Sequence, residues 1–231
     1  MNEVLRQEKK FLITLEKYYQ LSYRLGCVAH EDPNNNGDGY SIRSLYFDTL
    51  DEKDYMEKED GVEVRRKIRL RNYGAASSFA KLEMKQKQGM MQKKRSLTIG
   101  REDAEKLIHR DYGVLLKYKD SFAAECYAIM NTYCYLPKAV VEYKRRAFIA
   151  KENSTRITFD HHIVATESNF DIFSPDLNQY SVMNPYHVVL EVKFNGFLLS
   201  YLKDLLENET SQELSVGKYC LSRSVSLHYR F

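Results

Sequence analysis

The residues best suited to chemistry lie in Glu63–Arg71, which reads Glu-Val-Arg-Arg-Lys-Ile-Arg-Leu-Arg. Apart from Arg66, the stretch alternates: Glu63, Arg65, Lys67, Arg69 and Arg71 against Val64, Ile68 and Leu70. Period two marks a strand with one charged and one apolar face. Guanidinium forks and ammonium groups on one face can bind oxyanions directly. Taken alone, the row equally fits an edge strand with a wet basic face.

The pattern recurs elsewhere. In Tyr186–Phe194, Val189, Glu191 and Lys193 alternate with Tyr186, Val188, Leu190, Val192 and Phe194. In Phe79–Lys87, Lys81, Glu83, Lys85 and Lys87 alternate with Ala80, Leu82 and Met84. Arg6, Glu8 and Lys10 alternate with Phe11 and Ile13, with Lys9 as the exception, and Arg156 and Thr158 alternate with Ile157 and Phe159. Together these strands point to a shared charged surface. Cations two residues apart on a strand stand about 6–7 Å apart, which suits a long polyanion better than a single carboxylate. The acids set among them, Glu8, Glu83 and Glu191, are candidate ligands for a divalent metal, Mg²⁺ or Mn²⁺, because hard oxygens suit a cation that bridges phosphates. Each also reads as a neutraliser of its lysine neighbours, Glu83 most of all. There is no P-loop, and Gly37-Asp38-Gly39 is no dinucleotide fingerprint, so side chains would have to hold the phosphates.

These rows need elements to position them. A chain of 231 residues at 43% hydrophobic content supports one domain, taken as residues 1–231. The net charge of +3 is too mild for a general nucleic-acid coater. Acids at Asp48, Asp51, Glu52, Asp54, Glu57, Glu59 and Asp60, with others in 204–213, offset the cations. Cys27, Cys126, Cys134 and Cys220 show no CxxC spacing and read as core thiols of a reducing compartment. With no long apolar run and no apolar leader, a cytoplasmic protein without a membrane segment is expected.

Strands are expected near 4–13, 40–48, 62–73, 78–87, 92–99, 139–150, 155–160 and 186–194, with 163–167 as a further segment pairing with 155–160. Thr14 would cap a helix to Cys27, and Thr49 a short acidic helix over 51–58. Helices are also expected over 101–110, 121–133 and 198–207, while 30–39 and 170–184 read as irregular and the tail beyond Ser215 as short. Short links favour an antiparallel meander. The amphipathic helices need apolar surface to cover. The fold class expected is therefore α+β: a closed antiparallel β-barrel of about eight strands, with helices outside and charged faces lining a wet lumen. His161 and His162 read as surface residues facing opposite ways on a strand, without a role.

The ordered set Arg6-x-Glu8-x-Lys10-Phe11, Ser44-x-Tyr46-Phe47-Asp48, Lys67-x-Arg69-x-Arg71, Leu82-Glu83-x-Lys85, Lys93-Lys94-Arg95, Tyr143-x-Arg145, Arg156–Asp160 and Leu190–Phe194 resembles the VTC domain. That is the polyphosphate polymerase domain of the triphosphate tunnel metalloenzymes, relatives of the CYTH phosphatases and cyclases. The similarity spans about residues 4–223. It implies that Lys10, Arg69, Arg71, Lys85, Lys94, Arg145 and Arg156 are tunnel cations and that Glu191 binds metal; Glu8 is a metal-ligand candidate from its place in the charged row. Lys218 resembles a late tunnel lysine, although Gly217 stands where many relatives have Ser. Arg6, Lys67, Lys87 and Lys193 share the rows and are expected to bind substrate with Lys94 and Lys218.

The implied partners are ATP and inorganic polyphosphate or pyrophosphate, with no nucleic acid. The implied reaction passes the γ-phosphate of ATP to a growing chain. Arg69, Arg71 and Lys85 would hold the triphosphate, while Arg145, Arg156 and Lys10 would stabilise the equatorial oxygens. The nucleophile is an ionised phosphate oxygen, so no general base is required. Hydrolysis of tripolyphosphate or nucleoside triphosphate, and non-catalytic polyphosphate binding, stay open beside it. The resemblance does not extend to the regulatory SPX module or membrane helices of the eukaryotic protein, so translocation is not expected.

Overall fold

The computed structural model describes residues 6–89, 91–207, 213 and 217–228, with backbone alone at 6, 207 and 228. In chain order the elements begin with β1 (Arg6–Thr14), α1 (Leu15–Val28), β2 (His30–Glu31), β3 (Tyr40–Asp48), α2 (Lys53–Glu59), β4 (Val64–Asn72), β5 (Phe79–Gln88) and β6 (Met91–Gly100). There follow α3 (Arg101–Ile108), a 3₁₀ turn (Tyr112–Lys117), α4 (Ser121–Thr132), β7 (Leu136–Ala150), β8 (Thr155–Thr166), β9 (Tyr180–Ser181), β10 (His187–Asn195), α5 (Ser200–Glu207) and α6 (Lys218–His228). Among the described residues, no helix is long and apolar enough to cross a membrane.

The strands form one ten-stranded antiparallel sheet in the order β1-β10-β8-β7-β3-β4-β5-β6, with β2 beside β7 and β9 beside β8. The hydrogen-bonded path is open, with β1 and β6 as its ends among the described residues. The closed barrel expected from the sequence is therefore corrected to an open sheet. Alternation specifies which face of a strand is apolar, but it does not specify whether the last strand finds the first. On β6, exposed Lys93 and Lys94 are residues that discourage pairing at an edge.

The chain divides into two compact units: Met1–Ser41, Tyr143–Ile163 and Met183–Val216 form the first, and Ile42–Glu142, Val164–Val182 and Gly217–Phe231 the second. In the first, β1, β10 and β8 turn Ile13, Val188, Leu190, Val192, Phe194, Ile157 and Phe159 to one side. Tyr18, Leu21 and Leu25 of α1 and Leu202 and Leu206 of α5 cover that side. Thr14 caps α1 by accepting from the Lys17 amide, as the sequence predicts.

In the second unit, Leu45, Phe47, Ile68, Leu70, Ala80, Leu82, Met84 and Ile99 form the apolar face. It is covered by Ala104, Leu107 and Ile108 of α3 and by Phe122, Ala123, Cys126 and Met130 of α4. Burying each large aliphatic or aromatic side chain contributes about 1.5–3 kcal/mol, which fixes the face the helices take and leaves the cations on the other. Arg66, out of phase in the sequence, lies on the helix side, with its guanidinium over the Tyr133 ring.

Several details depart from the sequence reading. The segment 163–167 is largely a continuation of β8, not a separate strand. The tail contains α6, whose mixture of serines with Tyr219, Cys220, Leu221 and Val225 obscures a helical stripe. Cys126 and Cys220 are buried, but Cys27 and Cys134 are exposed and are not core thiols. His161 is buried, and it does not point away from its neighbour. His162 adopts φ +49°, in the left-handed region, and the two Nδ1 atoms lie 2.6 Å apart. Burial, and then the neighbouring His162, lower the His161 pKa.

Candidate functional site

In the second unit the charged face of β4 and β5 is a ladder of cations facing cations. Arg65 is in register with Lys87, Lys67 with Lys85, and Arg71 with Lys81; only Arg69 faces an acid, Glu83. Lys85 continues the line to Lys94 on β6, so three lysines stand abreast on three strands. Like charges directly opposite one another on a sheet are destabilising, so this face is built at a cost to the fold.

Glu83 is the hub of that face. Its carboxylate accepts from Arg69 Nε at 2.6 Å, lies 3.8 Å from Arg71 Nε, and pairs with Lys94. Burial alone would raise its pKa, but Arg69, Arg71 and Lys94 pull it down to about 2. It stays ionised at any working pH, which assigns Glu83 the charge-partner role read from the sequence. Tyr46 and Ser44 of β3 accept from Arg69 and Arg71 at 3.3 and 3.4 Å. Burial opposes ionisation of Tyr46, yet Arg69, Lys67 and Arg71 lower its pKa.

Lys67 lies 5.7 Å from the Tyr46 ring centroid and 5.2 Å from that of Tyr219 on α6, and the two rings stack at 5.1 Å. Tyr219 donates to Asp48 Oδ2 at 2.7 Å, while the amides of Thr49, Asp54 and Tyr55 fill the rest of that carboxylate. Sequence reading missed this wall: Tyr46 and Asp48 sit in a quoted motif without a role, and Tyr219 follows Lys218 in an unrecognised helix. Lys218 opens α6 and Lys87 lies half-buried on β5.

In the first unit the charged face is balanced. Glu8 is in register with Lys193, and Lys10 with Glu191. Lys10 Nζ lies 2.6 Å from Glu8 and 3.9 Å from Glu191; Lys193 pairs with Glu191 and lies 3.7 Å from Glu8. On β8, Arg156 faces Lys193 and Thr158 faces Glu191. Arg156 pairs with Asp32 at 2.6 Å and donates to Tyr40 Oη at 3.1 Å. Arg145 on β7 holds Asp160 through both arms of its fork, at 2.6 and 2.7 Å. Burial opposes the Arg145 charge, but Asp160 and then Tyr143 raise its pKa well above the usual value.

The Arg145 backbone admits one residue type beside it. A Cβ on Gly39, at φ +111°, would meet the Arg145 carbonyl oxygen at 2.2 Å. Asp32 and Asp160, as partners of the two arginines, were not read from the sequence. They come from a loop and from the end of an expected strand, where alternation gives no signal. The Arg6 side chain lies outside the described residues.

The structure thus groups Lys67, Arg69, Arg71, Lys85, Lys87 and Lys94 on one face, and Lys10, Arg145, Arg156, Lys193, Glu8 and Glu191 on another. Glu8 and Glu191 are hard donors one strand apart. Among the described residues there is no group of three or more His, Cys, Asp or Glu that could hold a metal. The donor set fits a cation that takes one or two protein carboxylates and completes its shell with phosphate oxygens and water, as Mg²⁺ does, and does not fit an all-protein cage.

In each unit helices cover the apolar face of the strands, and the charged rows lie on the other. The chain belongs to the VTC domain family, which matches residues 5–227. No curated protein matches it in sequence. In fold it is similar to a Bacillus halodurans protein named provisionally as an adenylate cyclase, at 12% identity and a TM-score of 0.52, covering 90% of this chain and 95% of that one. A Pyrococcus horikoshii protein aligns at 10% identity and a TM-score of 0.49, covering 97% and 99%.

Proposed function

We propose that this chain is a polyphosphate polymerase that transfers the γ-phosphoryl group of ATP to the end of an inorganic polyphosphate chain. The observation that carries the reading is the like-charge ladder: Lys67, Lys85 and Lys94 abreast, with Arg65 opposite Lys87 and Arg71 opposite Lys81. A fold that sets cation against cation across three strands has a use for an anion of matching length, and membership of the VTC family supports a phosphate compound as that anion.

Arg69, Arg71 and Lys85 hold the triphosphate, and Glu83 fixes the Arg69 and Arg71 side chains from behind. Lys67, beside the stacked Tyr46 and Tyr219 rings, is presented as a point charge. In the first unit, Lys10, Lys193, Arg156 and Arg145 bind phosphate oxygens, and Glu8 and Glu191 would hold Mg²⁺ or Mn²⁺. Such a cation supplies charge neutralisation to the phosphates when bound. In the transfer the bond between the β–γ bridging oxygen and the γ-phosphorus breaks, while a terminal oxygen of the acceptor chain forms the new P–O bond. That oxygen is already ionised, so alignment and charge neutralisation are the protein's whole contribution.

The test is to incubate the pure protein with ATP, Mn²⁺ and pyrophosphate, resolve chains on a gel and measure free phosphate. Long chains are the expected product. Phosphate without chains would replace the polymerase by a hydrolase, and tight polyphosphate binding without turnover would replace it by a binding module.

A further inference from the structure

The cation row on β4 and β5 ends in aromatics. Phe79 precedes Lys81 by two residues and continues the charged face of β5 by one step, about 6–7 Å, while Tyr73 follows Arg71 by two in the bend just past the end of β4. The Lys81 ammonium lies 5.8 Å from the Tyr73 ring centroid, which places that ring on the charged side of the sheet. The Tyr73 and Phe79 rings lie 6.5 Å apart at 49°. They are 41% and 37% exposed, and neither is among the buried residues that form the core cluster of this unit. Closing the β4–β5 hairpin needs only the backbone turn, and two large rings on its polar side serve no core.

Resting on the triphosphate reading above, we propose that Tyr73 and Phe79 form a nucleobase-stacking site that seats the base of the phosphate donor at this end of the row. The occupant is a nucleoside triphosphate rather than an inorganic chain, because a phosphate chain has nothing to stack while every base has a flat π-face. Continuity selects it: the rings adjoin Arg71 and Lys81, which face each other and would take the phosphate nearest the ribose. The donor then lies with its base at Tyr73 and its outer phosphates toward Arg69 and Lys85. The ring pair distinguishes donor from product, since both carry phosphates and only the donor carries a base.

The experiment measures Kd by calorimetry for ATP and for inorganic tripolyphosphate, each with Mn²⁺, in the wild-type chain, in Tyr73→Ala/Phe79→Ala and in Tyr73→Leu/Phe79→Leu. The leucine pair keeps apolar bulk and removes the rings, which guards against a folding defect in the alanine pair. Losing base stacking should lower the ratio of ATP to tripolyphosphate affinity by between about fivefold and a hundredfold in both variants. A ratio within twofold of wild type in the leucine pair overturns the stacking site while the phosphate reading stands. Wild-type protein that binds ATP but not tripolyphosphate overturns the phosphate reading of the row instead.

Discussion

Across β1 and β10, Glu8 faces Lys193 and Lys10 faces Glu191, whereas across β4 and β5 cation faces cation at three of the four charged pairs. Both faces lie opposite a helix-covered core, and both come from the same kind of alternating sequence. They differ in how charge is settled. In the first unit Lys10, Lys193, Arg145 and Arg156 have Glu8, Glu191, Asp160 and Asp32 as carboxylate partners. In the second, the β4–β5 row has Glu83 as its acid against Arg65, Lys67, Arg69, Arg71, Lys81, Lys85 and Lys87. The first face sets each of these cations against a carboxylate of its own, whereas the second gathers Arg69, Arg71 and Lys94 on the single carboxylate of Glu83.

The largest effect expected from that contrast is in the first unit. Asp160 is fully buried and Arg145 nearly so, so Asp160→Ala leaves a buried guanidinium without its carboxylate and should cost about 3–5 kcal/mol in urea unfolding. Asp160→Ala/Arg145→Leu should recover much of that loss. If the single variant unfolds like wild type, Arg145 does not depend on Asp160.

Next comes a buried acid on the helix side of the second unit, away from the cation row. Burial, and then the neighbouring Asp48, push the Asp54 carboxyl up to about 7, although Tyr135 donates to it. A raised folded pKa means that the stability is fully present below the unfolded value near 3.8. It drains as pH rises from there to about 7, and is flat above. Asp54→Asn should therefore be more stable than wild type at pH 8, by roughly 3 kcal/mol, with the difference shrinking to little at pH 4. Parallel melting curves across that range would remove the buried acid from the account.

Smaller again is Arg69→Ala, which removes a charge-assisted contact worth about 1.5–3 kcal/mol and should lower turnover at least about tenfold. Unchanged rates would take Arg69 out of the phosphate grip. Smallest, and sharpest for the contrast, is Lys85→Gln. Relieving the line of lysines should stabilise the unliganded protein by a few tenths of a kcal/mol, up to about 1, while weakening tripolyphosphate binding. A loss of stability together with unchanged binding would mean that the ladder is not strained for a ligand.

Much of this was legible in the sequence because alternation is a local signal. It identified which face of β1, β4, β5, β8 and β10 is charged, and the helices that cover the other face. The pairs that decide behaviour are not local. Nothing near Lys67 announces Tyr219, and nothing near Arg156 announces Asp32. The same limit explains the barrel: closure depends on where β1 and β6 end up, and no run of residues encodes that. His161 failed for a different reason. His162 takes a left-handed φ that strand alternation does not announce, and its ring lies against that of His161.

The ring wall beside Lys67 has a consequence in time. Tyr219 is 171 residues beyond the Asp48 it bonds. A ribosome therefore finishes β4 and β5 long before it delivers the ring that stacks on Tyr46 beside Lys67. Until α6 has been made, Lys67 has only the Tyr46 side of its ring pair. Shortening the chain ahead of Lys218 would leave the charges on their strands and remove the frame that aims one of them.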